Sequence, residues 1–160
     1  MKQTYRVIAG VIALGVLVQA AAVAFGWFDV ISGLESGLVV DENFEPNAGH
    51  MLHGIVGMYV MPLLGLVLLV VSFFAAKAVP GARKWAAIVF VAILLQVVLA
   101  IVAFSTSAVG ILHGANALVI FAAAARAAML VRDTRASDSA PGAVPSQRAG
   151  TSPTESSLPA

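Results

Sequence analysis

Cysteine is absent from this 160-residue chain, and charged side chains are scarce. The lack of cysteine excludes disulfides, thiolate zinc sites, iron–sulfur clusters and thiol catalysis. Charged residues make up 11% of the chain, against about 25% in ordinary soluble domains. The formal net charge is only +1, so the chain has no basic excess with which to neutralise phosphates, and we expect no nucleic-acid partner.

Apolar side chains, in contrast, are abundant and account for 60% of the residues. A soluble domain of this size has too high a surface-to-volume ratio to bury that much apolar surface. Most of its exterior would then be apolar, which soluble monomers avoid. The composition therefore predicts an integral membrane protein in contact with the lipid bilayer.

Four apolar segments are long enough to cross a bilayer as helices, which takes about 20 residues each. They cover approximately 7–28, 50–76, 85–104 and 108–131. Each is apolar around its whole circumference, as expected for a helix in lipid or in a bundle. We predict an all-α fold, a four-helix transmembrane bundle over residues 1–132. Residues 133–160 hold four of the seven prolines, and we expect a disordered cytoplasmic tail there.

The positive charges indicate how the spans are oriented. All nine Lys and Arg residues lie near the N-terminus, between the second and third spans, or from the end of the fourth span onward. The loop at about 29–49 has five acidic residues and no Lys or Arg. Because cations favour the cytoplasmic side, we predict a multi-pass protein of the cell membrane with both termini cytoplasmic. The first apolar run is longer than a signal peptide requires, which favours an uncleaved span.

Three histidines are conspicuous against the apolar background: His50, His53 and His113. Under the predicted topology, the second and fourth spans both begin at the outer side, which places His53 and His113 at similar depth. An unpaired imidazole in hydrocarbon is costly. Two imidazoles facing each other across a bundle are suited to bind one haem iron. We therefore predict a b-type haem between His53 and His113, whereas the alternative is that each ring only hydrogen-bonds a neighbouring helix.

Glycines next to both histidines leave room for a flat ligand. They are Gly54, Gly57, Gly110 and Gly114. Small residues also allow membrane helices to pack closely, and Gly110-xxx-Gly114 fits that alternative pattern. Along the second span, one stripe at helical spacing contains His50, His53, Gly57 and Met61.

Further candidate contacts follow from this stripe and from the fourth span. Met61 is expected either to pack on a porphyrin edge or to fill the core. His50 is a candidate gate, alternative ligand or partner for a haem propionate. Asn116, three residues after His113, is a candidate to orient that ring or to reach the cofactor, unless it only bonds another helix.

The motif His53-Gly54-x-x-Gly57, the run from Gln96 to Ala100 and Leu112-His113 together resemble one half of haem A synthase. That family consists of two four-helix halves, each with histidines on its second and fourth helices. The resemblance covers about residues 5–130 and implies His53 and His113 as haem ligands. The family has glutamate and arginine where this chain has His50 and Gly54, so the resemblance supports haem binding more than haem oxidation. Residues 112–117 also resemble a Leu-His-x-x-Asn-Ala element of small bacterial membrane proteins.

Three functions are compatible with these residues. The first is a haem b protein for electron transfer or haem handling. The second is a cofactor-free structural or assembly subunit of a larger membrane complex, in which the histidines only join helices. The third is a haem-modifying enzyme, for which a homodimer would supply the second half. No Asp, Glu or Lys lies in the middle of a predicted span, which argues against a proton-coupled transporter.

Overall fold

The computed structural model describes residues 1–139, with side chains as far as Arg132. Its α-helices are α1 (Lys2–Glu35), α2 (Ala48–Ile55), α3 (Met61–Ala75), α4 (Ala82–Ser105) and α5 (Val109–Ser139). A π-helical turn, Val56–Val60, joins α2 directly to α3. No strand occurs within residues 1–139. The predicted all-α fold is confirmed for this part of the chain.

Four helical segments are long and apolar enough to cross a membrane, as the sequence predicted. They are α1, the continuous segment Ala48–Ala75, α4, and α5 as far as Arg132. The first helix is longer than predicted at both ends. The fourth span continues to Ser139, so the first residues of the predicted tail are helical. Arginine and alanine in this stretch favour helix, and no proline interrupts it. Residues 140–160 of the predicted tail lie outside the described part.

The four spans form a ring in which each span packs against its neighbours in sequence. The first span, α1, packs against α2 and α3, and α4 packs against α3 and α5. The ring closes where α5 packs against α1. In this arrangement α2 and α5 occupy opposite corners. Side chains from these two helices therefore meet across the centre of the bundle.

Packing is closest in one half of the bundle, which we call the core half. It contains the N-terminus and the turn between α3 and α4. Its buried side chains include Tyr5, Ile12, Leu68, Val89, Ala124 and Val131. The opposite half contains the loops that follow α1 and α4, and we call it the histidine half. Its buried residues on α1 are mostly small: Gln19, Ala22, Gly26 and Val30. No residue of α4 after Ile93 and none of α5 before Ile120 is buried. The two halves therefore differ in how tightly their centres are filled.

Pro62 accounts for the irregularity in the second span. Proline has no N–H to bond the carbonyl four residues earlier, so an α-helix is disturbed just before it. A π turn is one way to absorb this disturbance. The turn at Val56–Val60 directly precedes Pro62, and the Met61 N–H bonds the Val56 carbonyl. As a result, Gly57 lies in the π turn, one helical turn after His53.

A buried hydrogen bond anchors the N-terminus of α1 to the start of α4, and its removal tests the core half. The Tyr5 hydroxyl, which is fully buried, donates to the Ala82 carbonyl at 3.0 Å. Replacing Tyr5 with phenylalanine should lower the free energy of unfolding by about 1 kcal/mol, because the carbonyl loses its partner. Thermal unfolding in detergent measures the effect. Tyr59→Phe is the matched control, since Tyr59 is 70% exposed; equal stability of both variants would contradict the assignment.

Candidate functional site

His53 and His113 meet across the centre of the histidine half. Their ring centroids are 6.2 Å apart, and the ring planes are inclined by 65°. His53 projects from α2 and His113 from α5, the two helices at opposite corners of the ring of spans. Both side chains are half-buried. The fold thus brings together two imidazoles that are 60 positions apart in the chain.

Each imidazole of the pair is bonded through Nδ1 to the backbone of the adjacent helix. His53 Nδ1 lies 3.2 Å from the Gln19 carbonyl oxygen of α1. His113 Nδ1 lies 3.1 Å from the Gln96 carbonyl oxygen of α4. A carbonyl oxygen only accepts hydrogen bonds, so Nδ1 must be the donor in both rings. In the neutral rings, Nε2 then carries a lone pair, which is the form that binds a metal.

Gln96 braces His113 through a reciprocal pair of hydrogen bonds. Its carbonyl accepts from the His113 ring, and its side-chain Nε2 donates to the His113 carbonyl at 3.0 Å. Asn116 then holds Gln96: the Asn116 amide donates to Gln96 Oε1 and to the Ala92 carbonyl, both at 2.8 Å. Asn116 was a candidate to help orient the His113 ring or only to bond another helix. In the structure it bonds α4, at Gln96, whose carbonyl in turn accepts from the His113 ring.

His50 lies apart from the pair and packs on α1. Its ring meets the edge of Trp27 at a centroid distance of 5.2 Å. A methyl group placed at Gly26 would lie 2.9 Å from His50 Nε2, so the ring edge abuts the backbone of α1. Asn47 caps the start of this helix by accepting from the His50 N–H and also donates to the Gly26 carbonyl. The sequence signal for this cap is an asparagine just before a helix.

The glycines near the two histidines in the sequence are exposed. A Cβ atom built at Gly54, Gly110 or Gly114 would meet nothing within 4 Å. The Gly110-xxx-Gly114 pattern therefore makes no close helix contact within the described bundle, which leaves the close-packing explanation without support in a single chain.

The other two residues of the predicted stripe contact α1. A Cβ at Gly57 would lie 3.3 Å from Gln19 Nε2, so this glycine admits the Gln19 side chain. Met61 is 6% exposed, and its sulfur would lie 2.8 Å from a Cβ at Gly15. Met61 therefore packs as a core side chain between α3 and α1.

The donor set at this site suits a haem iron better than a bare metal ion. Across the residues that the structure describes, no cluster of three or more His, Cys, Asp or Glu side chains is positioned to hold a metal ion. A structural or catalytic zinc ion takes three or four protein ligands. Haem iron needs only axial ligands from the protein, and histidine is a standard one. The histidine pair meets the second requirement.

Two important contacts could not be assigned from the sequence. Gln19 and Gln96 are polar residues within apolar spans, and the sequence favours only an interhelical hydrogen bond for such residues. In the structure their backbone carbonyls hold the two imidazoles. A glutamine inside a span was the available signal, but it gave no indication that the main chain is what contacts the histidine.

No protein-family model, curated protein or solved structure matches this chain.

The hydrogen bonds of the pair make a prediction for histidine NMR. In the ligand-free protein labelled with ¹⁵N-histidine, we expect the neutral rings of His53 and His113 to have their proton on Nδ1, because each Nδ1 donates to a carbonyl. Side-chain ¹⁵N shifts in detergent report the tautomer, and the His53→Gln and His113→Gln variants assign the signals. A neutral ring with its proton on Nε2, and therefore none on Nδ1, would contradict these hydrogen bonds.

Proposed function

We propose that this protein is a membrane-embedded haem protein whose iron is bound by His53 and His113. The observation that supports this most directly is the separation of the two rings. A metal–imidazole bond is about 2 Å long, and the nitrogen lies about 1 Å from its ring centre, so two rings on one metal have centroids up to about 6 Å apart. The ring centroids of His53 and His113 are 6.2 Å apart.

The surroundings of the pair also fit a bulky flat group. In the histidine half, no residue of α4 after Ile93 and none of α5 before Ile120 is buried, and the three glycines near the rings in the sequence are exposed. Both Nδ1 atoms are engaged, which leaves the Nε2 atoms as the ligating nitrogens. His53 and His113 would hold the haem, and Gln96 would keep the His113 ring in place.

The chemistry that a haem would supply here is a one-electron couple. His53 and His113 would both hold the iron, and the haem would then supply electron transfer rather than oxygen chemistry. Electron transfer or haem handling is therefore the function that we infer, with haem b as the cofactor. The buried apolar side chains of the core half argue against a polar passage through the bundle, and so against a channel or pump.

The distribution of charge supports a topology with both termini in the cytoplasm of a cell-membrane protein. Lys77, Arg83 and Lys84 lie at the turn between α3 and α4, whereas acidic residues populate the loop after α1. By the preference of cations for the cytoplasmic side, the haem would lie in the outer leaflet. Its redox partner would be a second copy or another component of a membrane complex.

A cofactor-free structural or assembly subunit is the second candidate. It is favoured by the fact that the histidines already join helices: His53 links α2 to α1, and His113 links α5 to α4. A haem-modifying enzyme is the third candidate and rests on the sequence resemblance alone.

Absorption spectra of variants distinguish the first two functions. Protein purified in detergent from haem-replete cells should show a Soret band and a sharp reduced α band. Loss of a residue that only orients a metal ligand lowers the affinity for the metal by about 10- to 100-fold. Loss of the ligand itself, in His53→Ala or His113→Ala, should therefore abolish both bands. His50→Ala is the control and should keep them, because its ring packs on α1. A colourless wild-type preparation would contradict the haem proposal.

A second test concerns the exposed glycine that follows His113. Gly114→Leu should lower the haem content per chain, because it places a branched side chain directly after His113. We expect a decrease of at least about tenfold, which is the lower end of the loss in metal affinity when a residue around a metal ligand is changed. Gly10→Leu is the matched control. Gly10 is also an exposed helical glycine with nothing within 4 Å of a built Cβ, but it lies in the core half. Equal haem content in the two variants would show that the ligand does not contact this position.

A further inference from the structure

The Gln19 side chain is buried without a hydrogen-bond partner. Gln19 is 9% exposed, and neither Nε2 nor Oε1 bonds any group of the described chain. Burying an amide without a partner is unfavourable, and the cost is greater in the hydrocarbon of a membrane. Gln96 and Asn116, which also lie inside spans, both have partners. Gln19 is therefore an exception among the amides of this bundle.

The position of Gln19 connects it with the histidine pair. Its backbone carbonyl accepts the bond from His53 Nδ1. Its side chain lies against Gly57, where a Cβ would be 3.3 Å from Gln19 Nε2. Gly57 belongs to the π turn, a helix irregularity often found at functional sites. The carboxamide thus lies beside the helical turn that follows His53.

The other buried nitrogen without a partner has a different explanation. His50 Nε2 abuts the backbone of α1 at Gly26, and its ring contacts Trp27. This nitrogen therefore packs against the main chain of α1 and not against the histidine pair. The Gln19 carboxamide, in contrast, packs against Gly57, one helical turn after His53.

We propose that the Gln19 carboxamide is a ligand-contacting group and a determinant of ligand specificity. It hydrogen-bonds a polar substituent on the edge of the tetrapyrrole that His53 and His113 bind, so this inference rests on the proposed function. A carboxamide offers both a donor and an acceptor. The site therefore binds a tetrapyrrole more tightly when its edge has a group that both accepts and donates hydrogen bonds than when its edge is hydrocarbon.

The first arm of the test measures the ligand-free full chain in detergent. Gln19→Met should raise the melting temperature, because it replaces an unpaired amide with an apolar side chain of similar size. Gln96→Met is the matched control and should lower it, because Gln96 makes hydrogen bonds to His113 and Asn116. A Gln19→Met variant that melts below the wild type would show that the carboxamide has a structural partner, and would overturn the inference.

The second arm compares two iron porphyrins that differ only in two substituents. Iron haematoporphyrin has hydroxyethyl groups where iron mesoporphyrin has ethyl groups. One hydrogen bond of ordinary strength predicts that the wild type binds the hydroxyl form about five- to tenfold more tightly. In Gln19→Met the preference should disappear, while affinity for iron mesoporphyrin stays within about twofold, because only that hydrogen bond is lost.

The outcomes separate this inference from the function on which it rests. Equal affinities in the wild type, or an unchanged preference in Gln19→Met, would overturn the role of Gln19. After either of these outcomes, the proposed function still stands if binding of both porphyrins requires His53 and His113. If neither porphyrin binds the wild type, both proposals are overturned.

Discussion

The need to satisfy imidazole N–H groups inside a membrane governs the geometry of this site. Hydrocarbon offers no water, so a histidine within a span must find a protein partner. Here each ring donates a hydrogen bond to a main-chain carbonyl of the neighbouring helix. A carbonyl oxygen has two lone pairs, so it can accept this bond in addition to the hydrogen bond within its own helix. This solution fixes the position of each ring and leaves both Nε2 atoms as the nitrogens that would bind the proposed iron. The proposed ability to bind a metal would thus be a consequence of how the site satisfies its own donors.

The bundle divides stability and function between its two halves. The core half is filled by small and branched apolar side chains and is anchored by the bond from Tyr5 to Ala82. That rigid packing frees the histidine half from filling its own centre. Polar groups, glycines and a π turn are concentrated there. The residues that stabilise the bundle are therefore different from those that would bind the proposed ligand.

The fold and the two central histidines could be predicted from the sequence, because they depend on local properties. Long apolar runs give the spans, and the depth of a residue follows from its distance to the span end. The contacts of Gln96, Asn116 and His50 could not be predicted. They depend on how each helix is rotated about its axis, and helices that are apolar on every side contain little information about rotation. A proline such as Pro62 favours a distortion of the helix before it, but its presence does not specify a π turn beside the two histidines.

The central claim is that one iron is bound by His53 and His113 together. Pulsed electron paramagnetic resonance of the ferric protein, grown with ¹⁵N-histidine and unlabelled haem, counts the histidine nitrogens on the iron. The account predicts a low-spin ferric signal with two ¹⁵N axial ligands. A signal with one histidine nitrogen, or no ferric haem signal in protein from haem-replete cells, would contradict it.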